Sequence, residues 1–221
     1  MAKKSVREIG KELEKALSRN DLAAIMDIVA SRGPNVYVYP AERHTLMHDA
    51  CALGRTDLVD LLVGKGANVN VQNTSGATPL HMACFNGHSD IVRLLIDTGA
   101  DMYIEDLNEI TPFDDMYKSK GDILTAAQEE IADILLDHGY DAGPNLLDAC
   151  APWRRRPSVV RFLLSRGVDP RVEDILGNTA LDYCRERDSD EAAREEILDL
   201  FRQYDPEMVM EAYCSPGPGG R

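Results

Sequence analysis

Gly76-Ala77-Thr78-Pro79-Leu80-His81-Met82-Ala83 is followed by Gly87-His88-Ser89-Asp90-Ile91-Val92-Arg93-Leu94-Leu95-Ile96 and then by Gly99-Ala100-Asp101. Thr78 stands where a hydroxyl caps a helix by accepting an early backbone N–H, and Pro79 suits the first helical position, where no donor is needed. A short inner helix is predicted to stop near Gly87. Ile91, Val92, Leu94 and Leu95 then recur at helical spacing, which predicts an outer helix ended by Gly99 in the left-handed conformation. An extended polar segment leads to the next threonine.

The motif repeats. Thr45, Thr78 and Thr111 lie 33 residues apart, and Gly33, Gly66 and Gly99 keep the same step. Leu58, Val59, Leu61 and Leu62 renew the outer face, with Thr45-Leu46-Met47-His48-Asp49-Ala50 before them. Weaker faces follow at Ile131, Ile134 and Leu135, at Val159, Val160, Phe162 and Leu163, and at Ile197, Leu198, Leu200 and Phe201. The inner signature decays to Thr111-Pro112-Phe113-Asp114, Asn145-Leu146-Leu147-Asp148 and Thr179-Ala180-Leu181-Asp182. Asn35, Asn68, Asp101, Asp141 and Asp169 each stand two residues after a repeat glycine. Two short helices cannot bury this much apolar surface alone, so each unit must stack on its neighbours.

The period and the Thr-Pro-Leu-His-x-Ala signature resemble those of the ankyrin repeat. The resemblance covers roughly residues 5–204 and is most specific in the second and third units. It implies an all-α ankyrin-repeat solenoid of about six stacked helix-turn-helix units with β-hairpin fingers. The expected boundaries are 1–38 for an N-terminal cap, 39–71, 72–104, 105–142, 143–172, and 173–204 for a charged C-terminal cap. Residues 205–221, ending in Ser215-Pro216-Gly217-Pro218-Gly219-Gly220-Arg221, are expected to be a disordered tail.

Two stretches depart from the pattern. Thr78 to Gly99 is 21 residues but Thr111 to Gly139 is 28, which places an insertion near 118–129 and shortens the finger that follows. Loop drift accounts for this, and so does a gap that admits a bulky feature of a partner. Pro152-Trp153-Arg154-Arg155-Arg156-Pro157 gathers three arginines and the only tryptophan at an inter-helix turn. Such residues suit a binding hot spot, or they fold back on Glu129, Glu130 or Asp133.

The formal net charge of −14 disfavours nucleic acid and anionic lipid and favours a protein partner with a basic surface. No apolar run approaches the ~20 residues that span a bilayer. The first residues lack a secretory signal, and the five scattered cysteines form no Cys-x-x-Cys pair, so a soluble cytoplasmic protein, itself monomeric, is expected. Neither catalytic, metal nor cofactor-binding residues are expected. By the resemblance, His48 and His81 hold repeats in register; His88 follows an inter-helix glycine, and the paired cysteine positions call for small residues. Ligands one repeat apart would sit ~10 Å from each other, too far for a shared metal.

The same resemblance carries candidate binding positions over to this chain. On the extended segments they are Tyr37, Tyr39, Asn70, Gln72, Tyr103, Glu105, Arg171 and Glu173. At the finger tips they are Glu42, Arg43, Thr74, Ser75, Leu107, Asn108, Ile175 and Leu176. Leu53, Phe85, Asn86 and Lys118 stand on inner helices, and Trp153 and Arg154 belong to the arginine turn. Tyr37, Tyr39, Phe85, Tyr103, Leu107 and Leu176 are the informative ones, because apolar groups that face water suggest anchors for a complex; packing against the next finger is the alternative. The implied function is a non-catalytic interaction module that tethers or inhibits a partner through a concave groove. A structural or adaptor subunit of a larger assembly is a second reading. An acidic inhibitor or immunity-type protein against a basic enzyme such as a nuclease is a third.

Overall fold

Helices in this chain begin at capping side chains and end where a left-handed residue lets the backbone turn away. The computed structural model describes residues 4–116, 124–152, 154–185 and 190–214, and packing divides the chain into two units. The first comprises Met1–Ser119 with Ala126–His138; the second comprises Lys120–Thr125 with Gly139–Arg221.

In the first unit, α1 (Val6–Ser18) and α2 (Leu22–Arg32) form a hairpin, and α1 also packs on strand β1 (Tyr37–Tyr39). A 3-10 turn, Pro40–Glu42, leads to β2 (His44–Thr45), antiparallel to β1. Then come α3 (Leu46–Ala52), α4 (Thr56–Gly64), α5 (Pro79–Asn86), α6 (Ser89–Asp97), α7 (Pro112–Asp115) and α8 (Ala126–Asp137). The inner helices pack in sequence, α3 on α5 and α5 on α7, while the outer helices pack as α4 on α6 and α6 on α8. Leu46, Leu58, Leu62, Leu80, Ile91, Leu95 and Phe113 are fully buried between these layers. Each such side chain contributes about 1.5–3 kcal/mol relative to exposure.

The second unit repeats the scheme. Its helices are α9 (Gly143–Cys150), α10 (Pro157–Ser165), α11 (Ala180–Arg185), α12 (Glu191–Tyr204) and α13 (Pro206–Cys214). Here α9 packs on α11 and α10 on α12, around Leu146, Val160, Leu163, Ile197 and Phe201.

Three outer helices end alike. The N–H of Ala67 reaches the Leu62 carbonyl at 2.9 Å, Ala100 reaches Leu95 at 2.9 Å and Val168 reaches Leu163 at 3.1 Å. The preceding Gly66, Gly99 and Gly167 have φ of 80°, 96° and 80° and allow this six-to-one closure. Cap residues start the inner helices as the sequence predicts, with Thr78 extended at φ −96°, ψ 168° and Pro79 at the first position.

The cap threonines also organise a buried imidazole. The Thr78 backbone N–H donates to Nδ1 of His81 at 3.1 Å, so Nδ1 is an acceptor and the proton sits on Nε2. Nε2–H then donates to the carbonyl of Ile110, 29 residues ahead, at 3.0 Å. His48 does the same one unit earlier, accepting from Thr45 N–H at 3.1 Å and donating to the Ala77 carbonyl at 3.1 Å. Burial holds the His48 pKa down to about 4. At Asp114 and Asp182 only the local half survives: each carboxylate accepts from the N–H and hydroxyl of its own threonine, Thr111 or Thr179. An ionised carboxylate has no N–H to hand to the following finger.

Several expectations are corrected. Residues 206–214 form helix α13 rather than an irregular tail, because Met208 and Val209 are apolar one after the other and bury on the α12 side. Residues 215–221 lie outside the described residues, as do residues 118–123, half of the 118–129 insertion; 126–129 are already the first turn of α8. Strand pairing is confined, among the described residues, to β1–β2 and an isolated bridge between Glu173 and Thr179, so only one finger is a laddered hairpin. The other fingers turn on side chains, as described below. On the outer helices Leu61 and Leu94 lie half-buried beside fully buried Leu62 and Leu95, because the layer covers a narrower stripe than the spacing suggested.

Replacing His81 by Ala leaves two buried backbone groups unpaired and a cavity, and is expected to cost about 2–4 kcal/mol in urea unfolding at neutral pH. His48 binds its proton less readily folded than unfolded. Its contribution is therefore full above pH 6.5 and is lost as pH falls toward about 4, by up to about 3 kcal/mol. Urea titrations across that range, with the His48 ring followed by NMR, check both slope and assignment. Gly54 has φ 69° and a Cβ there would stand 2.7 Å from the His88 ring, whereas a Cβ on Gly99 meets nothing within 4 Å. Gly99→Ala should therefore cost only the left-handed penalty of about 1–2 kcal/mol, and Gly54→Ala at least about 1 kcal/mol more in the same assay.

Candidate functional site

The fingers of the first unit are braced by their own polar side chains. Asn73 Oδ1 accepts the N–H groups of Ser75 and Ala77 at 3.0 and 3.1 Å, and Asp106 Oδ1 accepts those of Asn108 and Ile110 at 2.8 and 3.1 Å. These closures supply the turn that a strand ladder would otherwise provide. Successive tips are joined through the main chain: Thr74 N–H donates to the Glu42 carbonyl at 2.8 Å, and Leu107 N–H to the Ser75 carbonyl at 2.9 Å. Gly76 permits the approach, since a Cβ there would lie 2.8 Å from the Leu107 nitrogen.

Several candidates belong to this framework. Asn70 donates to the Gly99 carbonyl at 3.0 Å and accepts the Asp101 N–H at 2.8 Å. Gln72 donates to the carbonyls of Gly76 and Glu105, Ser75 to Asn73, Asn86 to the Met82 carbonyl and Asn108 to Asp106. Tyr37 is half-buried in β1, and Tyr39 stacks at a tilt on His44 with centroids 5.8 Å apart. Glu42, Arg43, Thr74 and Glu105 stand exposed at or beside the tips.

Beside these polar groups, large apolar side chains also stand in water. Leu107 is 76% exposed, Tyr103 51% and Phe85 58%, and Leu53, capping α3 as Phe85 ends α5, is 59% exposed. Lys118 and Trp153 lie outside the described residues.

In the second unit the arginines are engaged inside the fold. Arg154 donates to Asp148 Oδ2 at 2.7 Å, and Arg171 meets Asp205 at 2.7 Å. Arg155 is buried and takes φ 26°, the place that Gly54 and Gly87 fill in the first unit. A groove of about 480 Å³ runs between α9 and the 172–175 segment, with Leu147, Val172 and Ile175 on its walls and Asp141, Glu173 and Asp174 at its rim. Asp174 closes this finger, accepting from Leu176 N–H, from Asn178 and from the Tyr183 hydroxyl at 2.7 Å. The Asn178 bonds first, then that of Tyr183, hold its carboxyl well below the usual carboxylate range. Of these groove residues the sequence reading names Glu173 and Ile175, with Leu176 at the adjoining tip. Leu146 and Leu147 are both buried, and helical periodicity does not say that Leu147 also borders a groove.

The nucleophile types are occupied or shielded. Both ring nitrogens of His48 are hydrogen-bonded, and burial pushes the thiols of Cys51 and Cys84 up, away from thiolate. Cys150 is likewise raised, by burial first and by neighbouring Cys184 second. Among the described residues no group of three or more His, Cys, Asp or Glu is placed to hold a metal ion. Nor is any described helix long and apolar enough to cross a membrane.

Residues 47–96 match the family model described as ankyrin repeats (many copies). A comparison with curated proteins finds no match. The matched span takes in most of α3, all of α4 and α5 and nearly all of α6, where the Thr–His bridges and glycine closures are most regular. Ankyrin repeats generally mediate protein–protein interaction. With that match and the stacked inner and outer helices, residues 47–96 of this chain are ankyrin repeats.

Proposed function

We propose that the chain is a non-catalytic interaction module that captures a partner protein, tethering or inhibiting it, on the finger tips and inner-helix ends of the first unit. The observation that carries this reading is the exposure of Leu53, Phe85, Tyr103 and Leu107 on elements whose polar groups are otherwise used internally. Monomeric proteins rarely leave large apolar side chains grouped in water, and aromatic anchors dominate the energetics of interfaces. The tip-to-tip hydrogen bonds hold these groups in place before binding, which lowers the ordering cost of association.

The net charge of −14 supports a partner with a basic surface, and an inhibitor of a basic enzyme is the sharper form of that reading. Acidic steering raises association rates and weakens with salt. Once a partner is in hand, its on-rate should fall at least about tenfold between low and physiological ionic strength. A salt-independent on-rate would remove the basic partner from the reading.

The direct test is affinity capture from the source cell's extract by the intact chain and by a Leu53→Ala/Phe85→Ala/Tyr103→Ala variant. These side chains face water, so thermal unfolding should shift by no more than about 2 °C. One captured protein should be lost, with binding weakened at least about tenfold. Equal recovery of the same proteins by both chains would defeat the assignment.

A further inference from the structure

We propose that the groove of the second unit is a docking site for an extended basic segment of a partner protein, one that presents an arginine or lysine beside an aliphatic residue. This rests on the reading of the chain as a protein-binding module and adds where, and for what chemistry, a second contact is made.

The groove has two chemical faces. Leu147 contributes an apolar wall from α9, and Ile175 stands wholly in solvent at the opposing tip, 102% exposed, with Leu176 at 78% beside it. Such groups at a tip are costly in water and have no packing role there. The carboxyl-bearing residues Asp141, Asp148, Glu173 and Asp174 line it, and among the described residues no lysine or arginine does, although Asp148 is paired with Arg154 at 2.7 Å. Arg154 and Arg171, the cations flanking it in sequence, are drawn to Asp148 and Asp205.

An apolar wall ending in carboxylates matches a side chain that is apolar along its stem and cationic at its tip, as lysine and arginine are. A wholly apolar occupant would shield those carboxylates from water without pairing them, and an acidic occupant would meet like charge. The site is also built before binding. Asp174 ties its own loop through Leu176 N–H, Asn178 and Tyr183, so the tip that bears Ile175 is held in its turn. The Glu173–Thr179 bridge closes the same finger at its base.

The test uses the full-length chain and three end-blocked, fluorescently tagged dodecapeptides: alternating leucine and arginine, the same with glutamate for arginine, and the same with serine for leucine. Anisotropy gives affinity, and amide shifts of the labelled chain give location. The leucine–arginine peptide should bind with shifts centred on 172–176 and Leu147, the serine peptide about tenfold more weakly, and the glutamate peptide not measurably. Glu173→Lys and Ile175→Ser should each weaken binding at least about fivefold, whereas Glu195→Lys on α12, an equal change in net charge, should change it less than about twofold. The proposal is overturned if the leucine–arginine peptide does not bind, if the serine peptide binds as well, or if Glu195→Lys weakens binding as much as Glu173→Lys. Capture through Leu53, Phe85 and Tyr103 is a separate readout: its persistence alongside a silent groove removes the groove alone, and its loss removes the broader reading.

Discussion

The repeats of the first unit are held in register by a buried imidazole that belongs to two of them at once. Thr45 and Thr78 each cap an inner helix and, with the same backbone N–H, hand their histidine a donor that selects its tautomer. The remaining N–H can then point only outward, to a carbonyl of the next finger. A neutral, doubly bonded ring satisfies four polar groups that burial would otherwise leave costly. This single tautomer links helix start, finger position and repeat spacing, and it explains why a threonine, a histidine and a step of 33 residues travel together. Where aspartate replaces histidine, the helix is still capped but the link forward is chemically unavailable.

Presentation of the surface follows from that register. With fingers spaced by the imidazoles, the tips come close enough to share main-chain hydrogen bonds, and glycine at the closest approach lets them do so. The polar side chains of the fingers close turns or tie neighbours together. Large apolar side chains nonetheless stand exposed: Leu53, Phe85, Tyr103 and Leu107 in one unit, Ile175 and Leu176 in the other. Apolar groups held outward at braced tips are the feature on which the proposed association rests.

The recurrence of Thr-Pro-Leu-His, the glycine step and the apolar outer faces made the stacked helices legible from sequence, down to the residues that cap and close them. The binding residues were less legible. Asn70 and Gln72 occupy positions that look available in a pattern, yet their amides tie one finger to the next. Arg154 and Arg171 read as candidate binding positions, yet both are paired within the fold. A repeat pattern states which position a residue occupies; it does not state whether a neighbour from another unit has already taken its hydrogen bonds.

By itself the sequence determined the helical repeat, because capping, helical periodicity and left-handed glycine are local properties of consecutive residues. It also determined the acidity of the chain, a formal net charge of −14. Tertiary structure alone decided that α13 packs where the composition pointed to a tail. It also decided that most fingers close on Asn and Asp side chains and that a groove opens between Leu147 and Ile175. These outcomes depend on side-chain geometry and packing in three dimensions, and a pattern of residue types encodes neither.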